Sequence, residues 1–184
     1  MIPCYVSGRG MHASEKTHRF KLAVIRHLEA TGIGYDTRFR YYRERFPGMS
    51  LDVLAAMICD PVEYYDPDWP AFVRERGAGA DEAEAVTEFM LLRDGAFRQQ
   101  ARVAIVCYDE AGFGSGVNAM RFVGAGKPVI GFCHQDAARR GVNVASVLQL
   151  AHEYPGLFSL QRYSSMDDVL RQLAPLLAVL QPPR

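Results

Sequence analysis

Apolar and polar positions fall into blocks along the 184-residue chain, and the period of the blocks changes in a repeating way. "IPCYVSG" (residues 2–8) is a nearly continuous apolar run that enters a Gly-Arg-Gly loop, the pattern of a buried strand. Phe20, Val24 and Leu28 then recur every four residues from about Ser14, and Gly32 closes the segment as a C-cap, which predicts a helix. "IGYDTRF" (33–39) predicts a second strand. Later, "RVAIVCY" (102–108) is the clearest buried strand, "SGVNAMRFVGA" (115–125) a helix and "KPVIGFC" (127–133) the next strand. "AARRGVNVASVLQLAHEY" (137–154) predicts a helix and "LFSLQRY" (157–163) a last strand. Ser165, with Asp168 three positions on, predicts a capped terminal helix that Pro175 kinks or shortens. Strands alternating with helices predict one α/β domain over 1–184. Its sheet is doubly wound and mainly parallel, of about five strands, flavodoxin-like or Rossmann-like.

Residues 38–80 break that rhythm. "RFRYYRERFPGMS" mixes arginines with aromatics, "LDVLAAMICD" reads as a short helix, and "PVEYYDPDWP" is a proline-broken loop. The stretch reads as an excursion at one rim. Its aromatics exceed what one small α/β layer buries, so a homodimer or larger assembly through this region is expected. From 81 to 101 a helical pattern returns, with acids at its start where the helix dipole favours them.

Composition narrows the function classes. Apolar residues make up 49% and charged residues 23%, an ordinary globular balance. Basic and acidic residues cancel at 21 each, so no broad attraction to nucleic acid or an anionic membrane is expected. The cysteines at 4, 59, 107 and 133 make no C-x-x-C spacing, and no metal site is expected. Buried free thiols fit a reducing compartment. With no basic-then-apolar leader and no apolar run of membrane length, a cytoplasmic location is expected.

Ligands of doubly wound sheets bind beyond the carboxyl ends of the strands. Two loops qualify there: "SGRGMHAS" after the first strand and "DEAGFGSG" after the "RVAIVCY" strand. Each opens a helix and presents backbone N–H groups. Neither is G-x-G-x-x-G or a Walker loop, which argues against a dinucleotide or P-loop site, and no cofactor is expected. Arg38, Arg40, Arg43 and Arg45 either grip a phosphate or form a solvated face. Tyr41, Tyr42, Tyr64, Tyr65 and Trp69 either stack on a base or pack. His12 and His18 flank the first helix and either reach a ligand over the first loop or lie on the surface, and His134, at the sheet's ligand edge, pairs with nothing visible in the sequence.

Three stretches carry a family resemblance: "YVSGR" (5–9), "RDGAFRQQARVAIVCYDE" (93–110) and "GSGVNAMRFVGAGKPVIGF" (114–132). They resemble the nucleoside 2-deoxyribosyltransferases and the related nucleotide N-glycosidases. These are flavodoxin-like proteins that cleave the bond between a base and a (deoxy)ribose. The resemblance implies a nucleoside or nucleotide as the small-molecule partner. It also implies a substrate site drawn from Ser7, Gly8, Arg9, Asp94, Asp109, Gly114, Ser115 and Asn118. Glycosidic cleavage passes through an oxocarbenium-like transition state, so a carboxylate is needed at the anomeric carbon. The family supplies it as the glutamate of G-T-x-x-E. Here Asn118 occupies that position, at the preserved distance from Gly126-Lys127-Pro128, and Gly112 replaces a further family aspartate. The expectation is binding with weak or no cleavage. The alternative is an active N-glycosidase or transferase with a relocated acid, Asp109 or Glu110. Asp109 is read equally well as an Asx cap of the following loop.

Overall fold

The computed structural model describes residues 1–8, 14–50, 52–54, 68–76, 82–110, 112–136 and 144–180. Five strands form one all-parallel sheet: β1 (Ile2–Ser7), β2 (Gly34–Asp36), β3 (Val103–Cys107), β4 (Val129–His134) and β5 (Phe158–Tyr163). Their order is β2-β1-β3-β4-β5, the doubly wound order of flavodoxin-like folds. The order reverses between β1 and β3, which pair from Cys4↔Val103 to Ser7↔Val106.

Side-chain alternation along the strands sorts the core into two layers. Cys4, Val6, Ile105 and Phe132 point to one face, beneath helices α1 (Glu15–Thr31) and, near the chain's end, α7 (Met166–Ala178). Tyr5, Val106, Tyr108 and Cys133 point to the other, beneath α4 (Glu82–Gln100), α5 (Phe113–Gly124) and α6 (Val144–Glu153). Burial on both faces explains why these strands read as apolar runs rather than alternating ones.

Local chemistry sets the element ends. Gly32 stops α1 at φ 64°, a left-handed value that favours glycine. The second strand is shorter than its sequence suggests. Asp36 ends it and caps α2 (Thr37–Arg45), its carboxylate accepting from the N–H groups of Arg38 at 3.0 Å and Phe39 at 2.9 Å. The same carboxylate accepts from Val6 N–H at 2.7 Å, fastening α2 to β1.

Trp69 and Pro70, read as loop, begin a further helix, α3 (Trp69–Arg76). Proline is tolerated in a first turn, where its missing N–H has no helical partner anyway. Residues 52–54 are helical, while the rest of the "LDVLAAMICD" stretch and Tyr64 and Tyr65 lie outside the described residues. Pro175 does not shorten α7, which runs through it to Ala178. Leu173 and Leu177, both buried, hold the turns on either side of the proline, and Pro175 itself is on the exposed face.

Candidate functional site

The carboxyl ends of β1 and β3 lie at the switch in strand order, where the two layers present different chemistry. After β1 come Ser7, 4% exposed, and Gly8, at which a Cβ would sit 3.0 Å from the Thr17 methyl. After β3 come Tyr108, Asp109 and Glu110, followed by Gly112, the N-cap of α5. Gly112 supplies no side-chain cap and the first turn of α5 has no acid, so its leading N–H groups keep their positive character.

On the α4/α5 side a polar cluster surrounds the edge of Tyr5. Arg98, 8% exposed, donates from Nη1 to Asn118 Oδ1 at 2.9 Å, and the Asp94 carboxylate lies 3.8 Å from the same nitrogen. The Arg38 guanidinium stacks 4.5 Å from the Tyr5 ring centre and donates to the Val6 carbonyl. Burial pushes the Tyr5 phenol well above its ordinary value, and the Asp94 charge adds to that, against Arg38 and Arg98. The Tyr5 hydroxyl is therefore a donor at neutral pH. One turn before Asn118, Ser115 is buried, and its Oγ has no hydrogen-bond partner among the described residues.

On the α1/α7 side Asp109 sits 8% exposed in a closed network. One oxygen accepts from the His134 N–H at 2.7 Å; the other takes the Tyr163 hydroxyl at 2.5 Å and the Lys16 ammonium at 2.5 Å. Burial alone would raise its pKa. The hydrogen bonds from Lys16, Tyr163 and the His134 amide outweigh it and hold the carboxyl below its usual range. Asp109 is thus ionised and engaged. Glu110 accepts from Ser14 N–H at 3.0 Å and Thr17 Oγ1 at 2.8 Å, tethering the start of α1 to the loop after β3. The His134 ring spans this edge, its Nδ1 3.2 Å from the Asp136 N–H and its Nε2 3.2 Å from the Ser164 carbonyl.

The sheet therefore separates residues that the sequence groups together. Asp94 and Asn118 meet through Arg98; Asp109 lies on the other face, away from the helix that carries Asn118. Ser7, Gly8, Gly114 and Ser115 sit at the loop and helix start as expected, while Arg9 and His12 lie outside the described residues. Of the four arginines, Arg38 alone is seen reaching Tyr5. Arg40 pairs with Glu44, Arg43 with Glu29, and Arg45 lies over Tyr41. Trp69 packs against Phe72 and Phe89 within the chain. Sequence reasoning missed Arg98. The signal was present, since Asp94 and Arg98 are spaced i,i+4 on a helix and meet on one side of it. Nothing in the sequence marks Lys16 or Tyr163 as partners of Asp109.

Among the described residues no helix is long and apolar enough to cross a membrane, and no group of three or more His, Cys, Asp or Glu side chains is placed to hold a metal ion. No protein-family model matches the chain, and no curated protein matches it significantly.

Proposed function

We propose that the protein binds a nucleoside or nucleotide at the carboxyl ends of β1 and β3 and cleaves its glycosidic bond weakly or not at all. The reading starts from the resemblance of three stretches to the nucleoside 2-deoxyribosyltransferases. The observation that carries its second half is the contact between Arg98 and Asn118. Where the resemblance calls for a carboxylate there is a neutral amide, and a guanidinium is hydrogen-bonded to it. Positive charge developing on a sugar carbon beside that guanidinium is disfavoured rather than stabilised. An amide also forms no glycosyl ester.

One feature supports binding: the uncapped start of α5 offers backbone N–H groups to a ribose or phosphate. The alternative, a relocated acid at Asp109 or Glu110, has less support, because each already accepts hydrogen bonds that hold the fold together. The resemblance also implies a homodimer or larger; sedimentation showing a stable monomer would remove that part. The buried thiols Cys4 and Cys107, pushed up to about 12 by burial, fit a reducing compartment such as the cytoplasm.

The test follows binding by calorimetry and base release by chromatography over a panel of nucleosides and nucleotides. The native protein is expected to bind without releasing base. The Asn118→Glu variant restores the carboxylate and is expected to release base measurably. Turnover by the native protein would overturn the inert reading, and failure of both proteins to bind any member would overturn the ligand class.

A further inference from the structure

We propose that Glu110 is a specificity residue. Its carboxylate occupies the start of α1 and bars a ligand phosphate there, which selects an uncharged nucleoside over a nucleotide that would reach that corner. The exclusion of phosphate stands on the contacts around α1 alone. The selection of a nucleoside rests on the proposed function.

In doubly wound sheets the helix that follows the first strand is an ordinary seat for an anion, because its leading N–H groups lack helical partners. Here the chain seats its own anion. Ser14 is the N-cap of α1 yet makes no side-chain cap. Glu110, 96 positions further along, reaches that turn from the loop after β3. Its Oε2 accepts from the Ser14 N–H at 3.0 Å and from Thr17 Oγ1 at 2.8 Å. A carboxylate in this place also suits the helix dipole.

The surroundings take away what a phosphate needs. Lys16, in the first turn of α1, directs its ammonium to Asp109 at 2.5 Å. Glu15 adds a second carboxylate to the same turn and pairs with the exposed Arg19. Space is short as well. At Gly8, where β1 enters its loop, a Cβ would lie 3.0 Å from the Thr17 methyl and 3.4 Å from the Cys107 Cβ. The end of β1, the start of α1 and the end of β3 therefore already meet. A phosphate entering here would displace both hydrogen bonds of Glu110 and then face its like charge.

The probe is inorganic phosphate, titrated at neutral pH and constant ionic strength into the full chain while the backbone amides are followed by NMR. In the native protein the amides of Ser14, Glu15, Lys16 and Thr17 should show no saturable shift. Glu110→Ala vacates the corner, and the same amides should then shift saturably, with phosphate bound about 10-fold more tightly than by the native chain. Glu110→Gln keeps an acceptor for Ser14 and Thr17, which guards the fold, and removes only the charge. Its gain should be smaller, about 3-fold, at the same amides. Calorimetry then compares a nucleoside with its 5′-monophosphate. The native chain should bind the nucleoside more tightly, and Glu110→Ala should narrow or reverse that order. Saturable phosphate shifts at the α1 amides of the native chain, or no gain in either folded variant, would overturn the proposal. So would a native preference for the monophosphate. The phosphate titration needs no nucleoside to bind, so a failure of the proposed function shows separately, as binding of neither compound.

Discussion

Two glycines of the sheet are fixed by single atoms: Gly34, where a Cβ would lie 2.7 Å from the Ile2 carbonyl oxygen, and Gly131. A Cβ there would lie 2.8 Å from one ring carbon of Tyr108 and 3.1 Å from the next, so glycine is the residue that lets the ring cross β4. Gly131→Ala forces the ring or the strand to shift, and both are packed on the far side by Phe158 and Leu160. The expected cost is about 1–3 kcal/mol, read as a lower urea midpoint. Gly114, by contrast, has open space where its Cβ would stand, so the same comparison at Gly114→Ala should leave the midpoint nearly unchanged. Neither difference is visible in the sequence, where both are glycines in loop-rich or strand-like runs. At this scale the identity of Asn118 was legible and its partner was not. Periodicity places Asn118 on a helix, but only packing brings α4 close enough for Arg98 to reach it.

Among the elements, α4 owes its end to a residue on another segment. Lys127 spends all three ammonium donors on the carbonyls of Arg98, Gln99 and Ala101, at 3.0, 2.8 and 2.8 Å. These are the carbonyls a helix leaves open at its C-terminus, and a cation there also suits the dipole. The Gly-Lys-Pro motif thus has a structural reason. Gly126 turns at φ 68°, Lys127 caps α4, and the Pro128 carbonyl accepts from Ala104 N–H at 3.0 Å to start the β3–β4 pairing. Lys127→Met keeps the stem and removes the donors. It should cost about 1–2 kcal/mol in urea unfolding and speed hydrogen exchange in the last turn of α4 first. Element types were largely legible because buried strands and amphipathic helices differ in period. The exceptions have local causes. The "DTRF" stretch has strand-forming residues, yet Asp36 caps a helix there, and Pro70 reads as a breaker although it sits in a first turn.

For the whole molecule, the sheet divides labour between its faces, and pH offers a way to see the division. Asp109 joins the loop after β3 to α1 through Lys16, to β4 through the His134 amide and to β5 through Tyr163. The sequence put it at a strand end with two readings, a ligand contact or a cap. Its partners lie 93, 25 and 54 positions away by sequence number, a distance no local pattern encodes. Because those bonds hold the folded carboxyl below its unfolded value, Asp109 binds its proton more readily in the unfolded chain. Its stabilising contribution is full above the unfolded pKa, about 3.9, and disappears as pH falls through the folded one. Asp68 and Asp168 are also lowered and add to the same acid limb, so the native curve alone does not isolate Asp109. The difference between native protein and Asp109→Asn does. Near pH 7 the variant should be less stable by about 1–3 kcal/mol, discounted because Lys16 is partly exposed. That gap should shrink steadily between about pH 5 and pH 2, where the native carboxylate is lost as well. Urea unfolding of both proteins across that range measures it, and parallel curves would mean that Asp109 is not ionised by its network in the folded chain.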